Sequence, residues 1–428
     1  MKNLPALRYI LAAAIVVMLA ALASWYFVLR AKQETIARGD AARGGEIAAP
    51  FGGIVGSTYE NIISSFSSSA ADEKGSEAGL PRLSQVSKAP VAGAAFVGSG
   101  PPAAPSAALS GASARLRFIE RATGYVLEAS LETGALARRT NTLIPQVYEG
   151  IVMPKDRVIL RSIDAESGAL VTLAGALATT SAPESASPLS YTRLADGILS
   201  LAASPAGDEI FYLTEQGGAA GVRAAWNGAK PKQVFSSAIS GWRVRWSAPD
   251  RILLVQNASD GAAGYAYELG AGGSASVLLR DIAGLTALPH PSSKALLYGR
   301  SGGGLALFAR INDASSVVSL PVRTTAEKCV WAPSSAKATE GKPATLIAYC
   351  AVPQVSPGDG FLDRRYRGEM HTADAWWRID VGAATAELLY SPGSIELDVE
   401  DPVIDESGNY IAFINARDKS LWLLRVKE

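Results

Sequence analysis

Few residues in this 428-residue chain have types and spacings that could do chemistry. Cys329 and Cys350 are its only cysteines. They flank a turn region, 333–344, on what read as two neighbouring strands. A cross-strand disulfide there would close a loop of about 20 residues and contribute roughly 3 kcal/mol if unstrained. The other reading is two separately buried thiols acting as small apolar groups. No histidine lies near them in sequence, so zinc is not expected. The two histidines, His290 and His371, fall at a turn and in an insertion. No Gly-x-Ser-x-Gly elbow accompanies either, and both read as loop residues, not catalysts.

The densest charged and aromatic group is Asp359, Asp363, Arg364, Arg365, Tyr366, Arg367, Glu369 and His371, followed by Trp376 and Trp377. Arginine with tyrosine and tryptophan is the mix enriched in interface hot spots. Arg364, Arg365, Tyr366 and Arg367 are therefore the candidate binding residues. The bland alternative is a solvated loop packed on its own sheet, with the tryptophans in the core. Asp359 and Asp363 are too sparse for a calcium loop. Asn257-Ala-Ser259 fits a glycosylation sequon. The glycine clusters at 270–273 and 302–304 lack the strand–loop–helix setting of a phosphate cradle and read as hairpin turns. No metal and no cofactor are expected.

The elements that must position these residues repeat. Ala203-Ser-Pro-Ala-Gly-Asp, Trp246-Ser-Ala-Pro-Asp, Pro289-His-Pro-Ser-Ser and Trp331-Ala-Pro-Ser-Ser recur every 43 residues, anchored at Ser204, Ser247, His290 and Pro333. Such a period, with one small β unit per copy, marks propeller blades. The expected fold is all-β, a seven-bladed propeller over 80–428 with about four antiparallel strands per blade. The units read as 88–142, 144–180, 196–238, 240–281, 283–324, 326–391 and 396–428, the sixth carrying an insertion at 353–375. The last unit shows three strands. The segment 81–87 is expected to supply the fourth and close the ring, removing open edges. The competing architectures are a pair of β-sandwiches or an irregular solenoid.

The N-terminal part reads differently. After a short head, 1–8, the run 9–29 carries no charge. About 20 apolar residues suffice for a transmembrane helix, and Trp25 and Tyr26 suit an interface belt; the rival reading is a signal peptide cleaved at Ala21-Leu-Ala23, which the apolar run outlasts through Leu29. Residues 30–79 are rich in Ala, Gly and Ser and read as a tether with a reach on the order of 40 Å. The Pro/Ala/Ser-rich stretch 99–114 reads as a disordered insert. Arg30, Lys32, Arg38 and Arg43 outnumber Lys2 and Arg8, which taken alone favours a cytoplasmic propeller. The cysteine pair and the brevity of the head favour the opposite, a single-pass protein with its propeller outside the cytoplasm. Basic and acidic residues balance at 40 each, which gives no reason to expect a nucleic-acid partner.

The repeats resemble those of the Tol–Pal translocation propeller, of WD40-like type, and of the propeller half of prolyl-oligopeptidase-type enzymes. The shared pattern is a Ser-Pro-x-Gly-like turn, a strand such as Ile210-Phe-Tyr-Leu, and a strand such as Ser420-Leu-Trp-Leu. The likeness covers 80–428. It departs from the Tol–Pal protein by its apolar segment and tether, and from the peptidases by the lack of a hydrolase half. The whole chain resembles bacterial membrane-anchored propellers with no assigned activity, so the resemblance implies a fold and no functional residues. The expected function is a non-enzymatic protein- or peptide-binding scaffold at the cell envelope. The alternative is an envelope glycan-binding or glycan-cleaving domain using acidic residues of the channel or the insertion.

Overall fold

The computed structural model describes residues 80–98, 115–178, 186–215, 217–270, 272–312, 317–333 and 346–427. The apolar run 9–29, the tether 30–79 and the insert 99–114 lie outside the described residues. Among the described residues no helix is long and apolar enough to cross a membrane.

Seven four-stranded antiparallel sheets make up the described chain. Six follow sequence order. The seventh takes three strands from the C-terminal end and its outermost strand from Leu83–Ser87, which pairs with Leu421–Arg425. Residues far apart in sequence thus close the ring, as the three-strand count of the last unit led one to expect. Blade two differs from its expected bounds. Its outermost strand is Ser190–Arg193, beyond the expected end at 180. All four of its residues are exposed, so no apolar alternation announces it.

The first strands of the blades are Val91–Val97, Val147–Met153, Ile198–Ala203, Trp242–Ala248, Thr286–Pro289, Cys329–Trp331 and Val399–Ile404. Each is a sheet edge, and several successive ones lie side by side, Val91–Val97 with Val147–Met153, Ile198–Ala203 with Trp242–Ala248, and Val399–Ile404 with Val91–Val97. Small residues permit that approach. A Cβ on Gly93 would lie 1.8 Å from the Gly150 carbonyl oxygen, so blades one and two meet there backbone to backbone.

Apolar side chains fill the spaces between neighbouring sheets. Leu297, Leu307 and Val322 pack with Trp331, Cys350 and Ile379 between blades five and six. Trp376 and Tyr349 pack with Phe413, Ile411 and Leu424 between blades six and seven. The strands read hydrophobic on both faces for this reason: each sheet is sandwiched between two others.

Candidate functional site: the capped central channel

The insertion of blade six joins Ile347–Pro353 to Asp374–Asp380 and contains one helix, α1, Phe361–Tyr366. Gly360 opens it in a left-handed conformation, φ 69°. Phe361 and Leu362 are buried against Ala258 of blade four and Leu305 of blade five. The Asp363 carboxylate accepts the Ser259 hydroxyl and the Asp260 N–H, each at 3.2 Å. Asp260 returns the favour by accepting the Asp363 N–H at 3.0 Å. The insertion therefore reaches across blade five and fastens to blade four.

The four candidate binding residues split into two pairs. Arg365 bonds Asp398, and the Tyr366 hydroxyl donates to Glu327 at 2.7 Å. Arg364 and Arg367 are exposed, with Arg367 paired to Glu369 at 2.7 Å. Asn257 is engaged too, accepting the Arg243 guanidinium at 2.9 Å. Trp376 is fully buried and Trp377 partly so, in the blade core. Cys329 and Cys350 lie directly opposite on paired strands, with Cα atoms 4.0 Å apart, and are joined by a disulfide.

Beneath the cap lies a buried ionic cluster. The Lys328 ammonium donates to Thr372 at 2.7 Å, to Asp398 at 2.6 Å and to Asp374. The Asp398 carboxylate also receives Arg365 and the Thr372 hydroxyl at 2.9 Å, while His371 Nδ1 lies 3.0 Å from its second oxygen; the Asp398 backbone N–H donates to Asn415 Oδ1 at 3.0 Å. Burial alone would raise the Asp398 pKa, but Lys328 and Arg365 overcome it and hold the carboxyl well below the ordinary range. Two cations and two anions balance here, so the cluster fastens blade six to blade seven and leaves no charge free for chemistry.

The channel is different. Arg243 of blade four meets Glu327 of blade six at 2.9 Å, and its guanidinium lies 4.5 Å from the Tyr366 ring centre. Blades four and six are not neighbours, so this contact is made at the axis, under the cap. Burial and the Glu327 carboxylate raise the Tyr366 pKa, which keeps its hydroxyl protonated and donating. Three carboxylates of the channel have cations: Glu149 has Arg161, Glu327 has Arg243 and Glu400 has Lys419. Asp401 has none, and neither hydrogen bond nor ion pair holds its carboxylate. Arg245, exposed on the strand Trp242–Ala248, is the cation that acts on it across the axis. Water reaches Asp401, yet protein surrounds it. That confinement first, and the charges of Glu400, Glu327 and Glu149 after it, push its pKa up to about 6 despite Arg245.

His290 has a turn-fixing role. Its Nδ1 accepts the backbone N–H groups of Ser292 and Ser293, and its ring meets Trp331 edge-on at 4.8 Å. Burial lowers its pKa. Among the described residues no group of three or more His, Cys, Asp or Glu side chains could hold a metal ion.

Sequence reasoning passed over Lys328, Asp374, Asp398, Arg245 and Asp401. The alternation Trp242-Arg-Val-Arg-Trp246 carried a signal, since charged residues alternate there with buried ones on a first strand. Nothing local marks the Lys328 cluster, whose members lie up to 70 residues apart.

No protein-family model and no curated protein matches the chain. Solved structures do. The β-propeller domain of the trilobed protease from Pyrococcus furiosus is 10% identical, covers 74% of this chain and 95% of its own, and has a TM-score of 0.46. A puromycin-hydrolyzing peptidase of Mycobacterium tuberculosis is 13% identical over 74% of this chain, with a TM-score of 0.41, and this chain spans 50% of its length. TolB from Acinetobacter baumannii is 11% identical, covers 74% of this chain and 77% of its own, and has a TM-score of 0.38. The likeness is one of fold, and it includes the Tol–Pal propeller to which the repeats pointed.

These findings correct the expected function. The structures similar to this chain are mainly peptidases, with TolB beside them. The propeller architecture thus gives no ground for reading a purely non-enzymatic scaffold.

Proposed function

We propose that this is a peptidase-related propeller that admits peptides through its capped channel to a peptide-cleaving centre. The observation that carries the reading is the pair Arg245 and Asp401, opposite charges without close partners, set across the axis beneath α1. An extended peptide presents a carboxylate and an ammonium, and a guanidinium with a carboxylate is the matching pair. A passage lined by first strands and covered by α1 suits an unfolded chain better than a folded protein. Peptidase is the class named for the trilobed and puromycin-hydrolyzing proteins; on this chain it is the channel that supports it.

The test uses short unblocked peptides carrying a photoreactive residue, added to the full-length protein. Crosslinks are expected on Trp242–Ala248 and Val399–Ile404 and should weaken in Arg245→Glu. Membranes bearing the wild-type chain should also hydrolyse those peptides faster than membranes bearing the variant. Crosslinks confined to the outer strands, or indifferent to the charge reversal, would sink the reading.

The same proposal places the propeller outside the cytoplasm, anchored by residues 9–29. A disulfide at Cys329–Cys350 supports this, since such bonds persist in oxidising compartments. A membrane-impermeant maleimide should label intact cells only after reduction. Labelling that needs lysis and no reductant would put the domain in the cytoplasm.

A further inference from the structure

The Asp401–Pro402 bond is the only Asp–Pro bond in the chain, and it sits at a defect in the first strand of blade seven. Glu400 pairs with Ile414 and Val403 with Ala412, so Asp401 and Pro402 together face one residue of the neighbouring strand. That is a β-bulge. Asp401 adopts φ 47°. Left-handed backbone is costly for a residue with a side chain, and helical conformations are further disfavoured before proline. Strain of this kind persists where surrounding structure imposes it and clusters at functional sites. No hydrogen bond ties the Asp401 carboxyl elsewhere, and water reaches it.

We propose that the protein cuts its own chain between Asp401 and Pro402, with the Asp401 side chain as nucleophile. A side-chain oxygen of Asp401 attacks the carbonyl carbon of the same residue and closes a cyclic anhydride. The C–N bond to Pro402 breaks as the carboxyl proton passes to the proline nitrogen, which leaves as a secondary amine. Water opens the anhydride, leaving Asp401 with two free carboxyl groups. The net change is hydrolysis of one amide and needs no reagent beyond water.

The surroundings suit the step. The groups facing Asp401 are Glu400 on its own strand, Arg245 from blade four, Glu327 ahead of Cys329–Trp331, and Glu149 from blade two. Confinement among three carboxylates keeps the proton that the leaving nitrogen requires, and Arg245 balances charge at the axis. Cleavage also relieves the imposed backbone. The product strands Tyr410–Asn415 and Leu421–Arg425 stay paired between Val399–Ile404 and Leu83–Ser87, so the nicked ring holds together. This inference rests on the backbone at Asp401 and stands apart from the peptide-admitting reading.

The experiment incubates the full chain in detergent at pH values on either side of about 6, then reduces and unfolds it for intact-mass measurement. Fragments 1–401 and 402–428 are expected, increasing as pH falls through about 6. At that pH the folded site holds roughly a hundredfold more of the acid form than an unfolded aspartate would, and cleavage should outpace that of the urea-unfolded chain on that order. Asp401→Asn should stay whole, and Pro402→Ala should slow the cut, with circular dichroism showing both folded. A folded wild-type chain that stays whole overturns the proposal. So does equal cutting of the unfolded chain, or cutting that survives in Asp401→Asn.

Discussion

Asp398 and Asp401 stand three positions apart at the start of one blade, and their surroundings drive them in opposite directions. Asp398 is fully buried and receives Lys328, Arg365 and Thr372. Asp401 is open to channel water and receives none of these. The buried group is held far below the ordinary carboxylate range, and the wet one is raised to about 6. Burial at Asp398 and confinement by the surrounding protein at Asp401 both push upward; partners decide the sign. The fully buried site is thus chemically quiet, its charges balanced and its hydrogen bonds largely made. The solvent-reached site is the one left with unused charge. Asp374 shows the limit of that quiet, since one of its buried oxygens has no hydrogen-bond partner.

Removing the cation that quiets the buried site gives the largest effect. Lys328→Met leaves Asp374 and Asp398 with Arg365 alone, and an uncompensated buried charge costs about 3–5 kcal/mol. Thermal unfolding of the variant should begin many degrees below wild type, with Asp398→Asn added back recovering part of the loss. A melting curve equal to wild type would mean the cluster contributes nothing to holding blades six and seven.

Titration sharpens the comparison. The folded pKa of Asp398 lies below its unfolded value, so its contribution to stability is present above that value and is lost as pH falls. Asp401 has its folded pKa above the unfolded 3.8. Its contribution is fully present below pH 3.8 and is lost as pH rises through about 6. Asp401→Asn should therefore raise the melting temperature by about 2–4 °C above pH 6 and change it little in acid, the effect being small because channel water screens the charge. The same shift at all pH values would show that Asp401 is not the group that titrates.

The ring was legible because it is written in repetition. A 43-residue step and a missing fourth strand suffice to count blades and to foresee that 81–87 completes the last one. The cysteine register was legible for the same reason: Leu201 opposite Tyr212 in blade three maps onto Cys329 opposite Cys350. The site was not. Arg364–Arg367 drew attention as a charged run, but Arg365 and Tyr366 are spent fastening the cap, while Arg364 and Arg367, three apart and so on one side, are the pair left to solvent. Arg245 and Asp401 belong to blades four and seven and act on each other only once the ring is closed. No local spacing encodes a charge acting across an axis.

Tyr366 offers the finest test of how the cap meets the channel. Its hydroxyl donates to Glu327, and its ring lies against Arg243. Tyr366→Phe keeps the ring and removes only the hydroxyl. The lost hydrogen bond to a charged acceptor should cost about 1–2 kcal/mol locally. Because α1 is also fastened by Phe361, Leu362 and Asp363, global melting should barely move. Faster amide exchange should instead appear across α1 and the turn 326–328. Exchange unchanged there would show that the cap rests on its apolar seat and its Arg365 bond, and that the Arg243–Glu327 pair holds its geometry without the tyrosine hydroxyl.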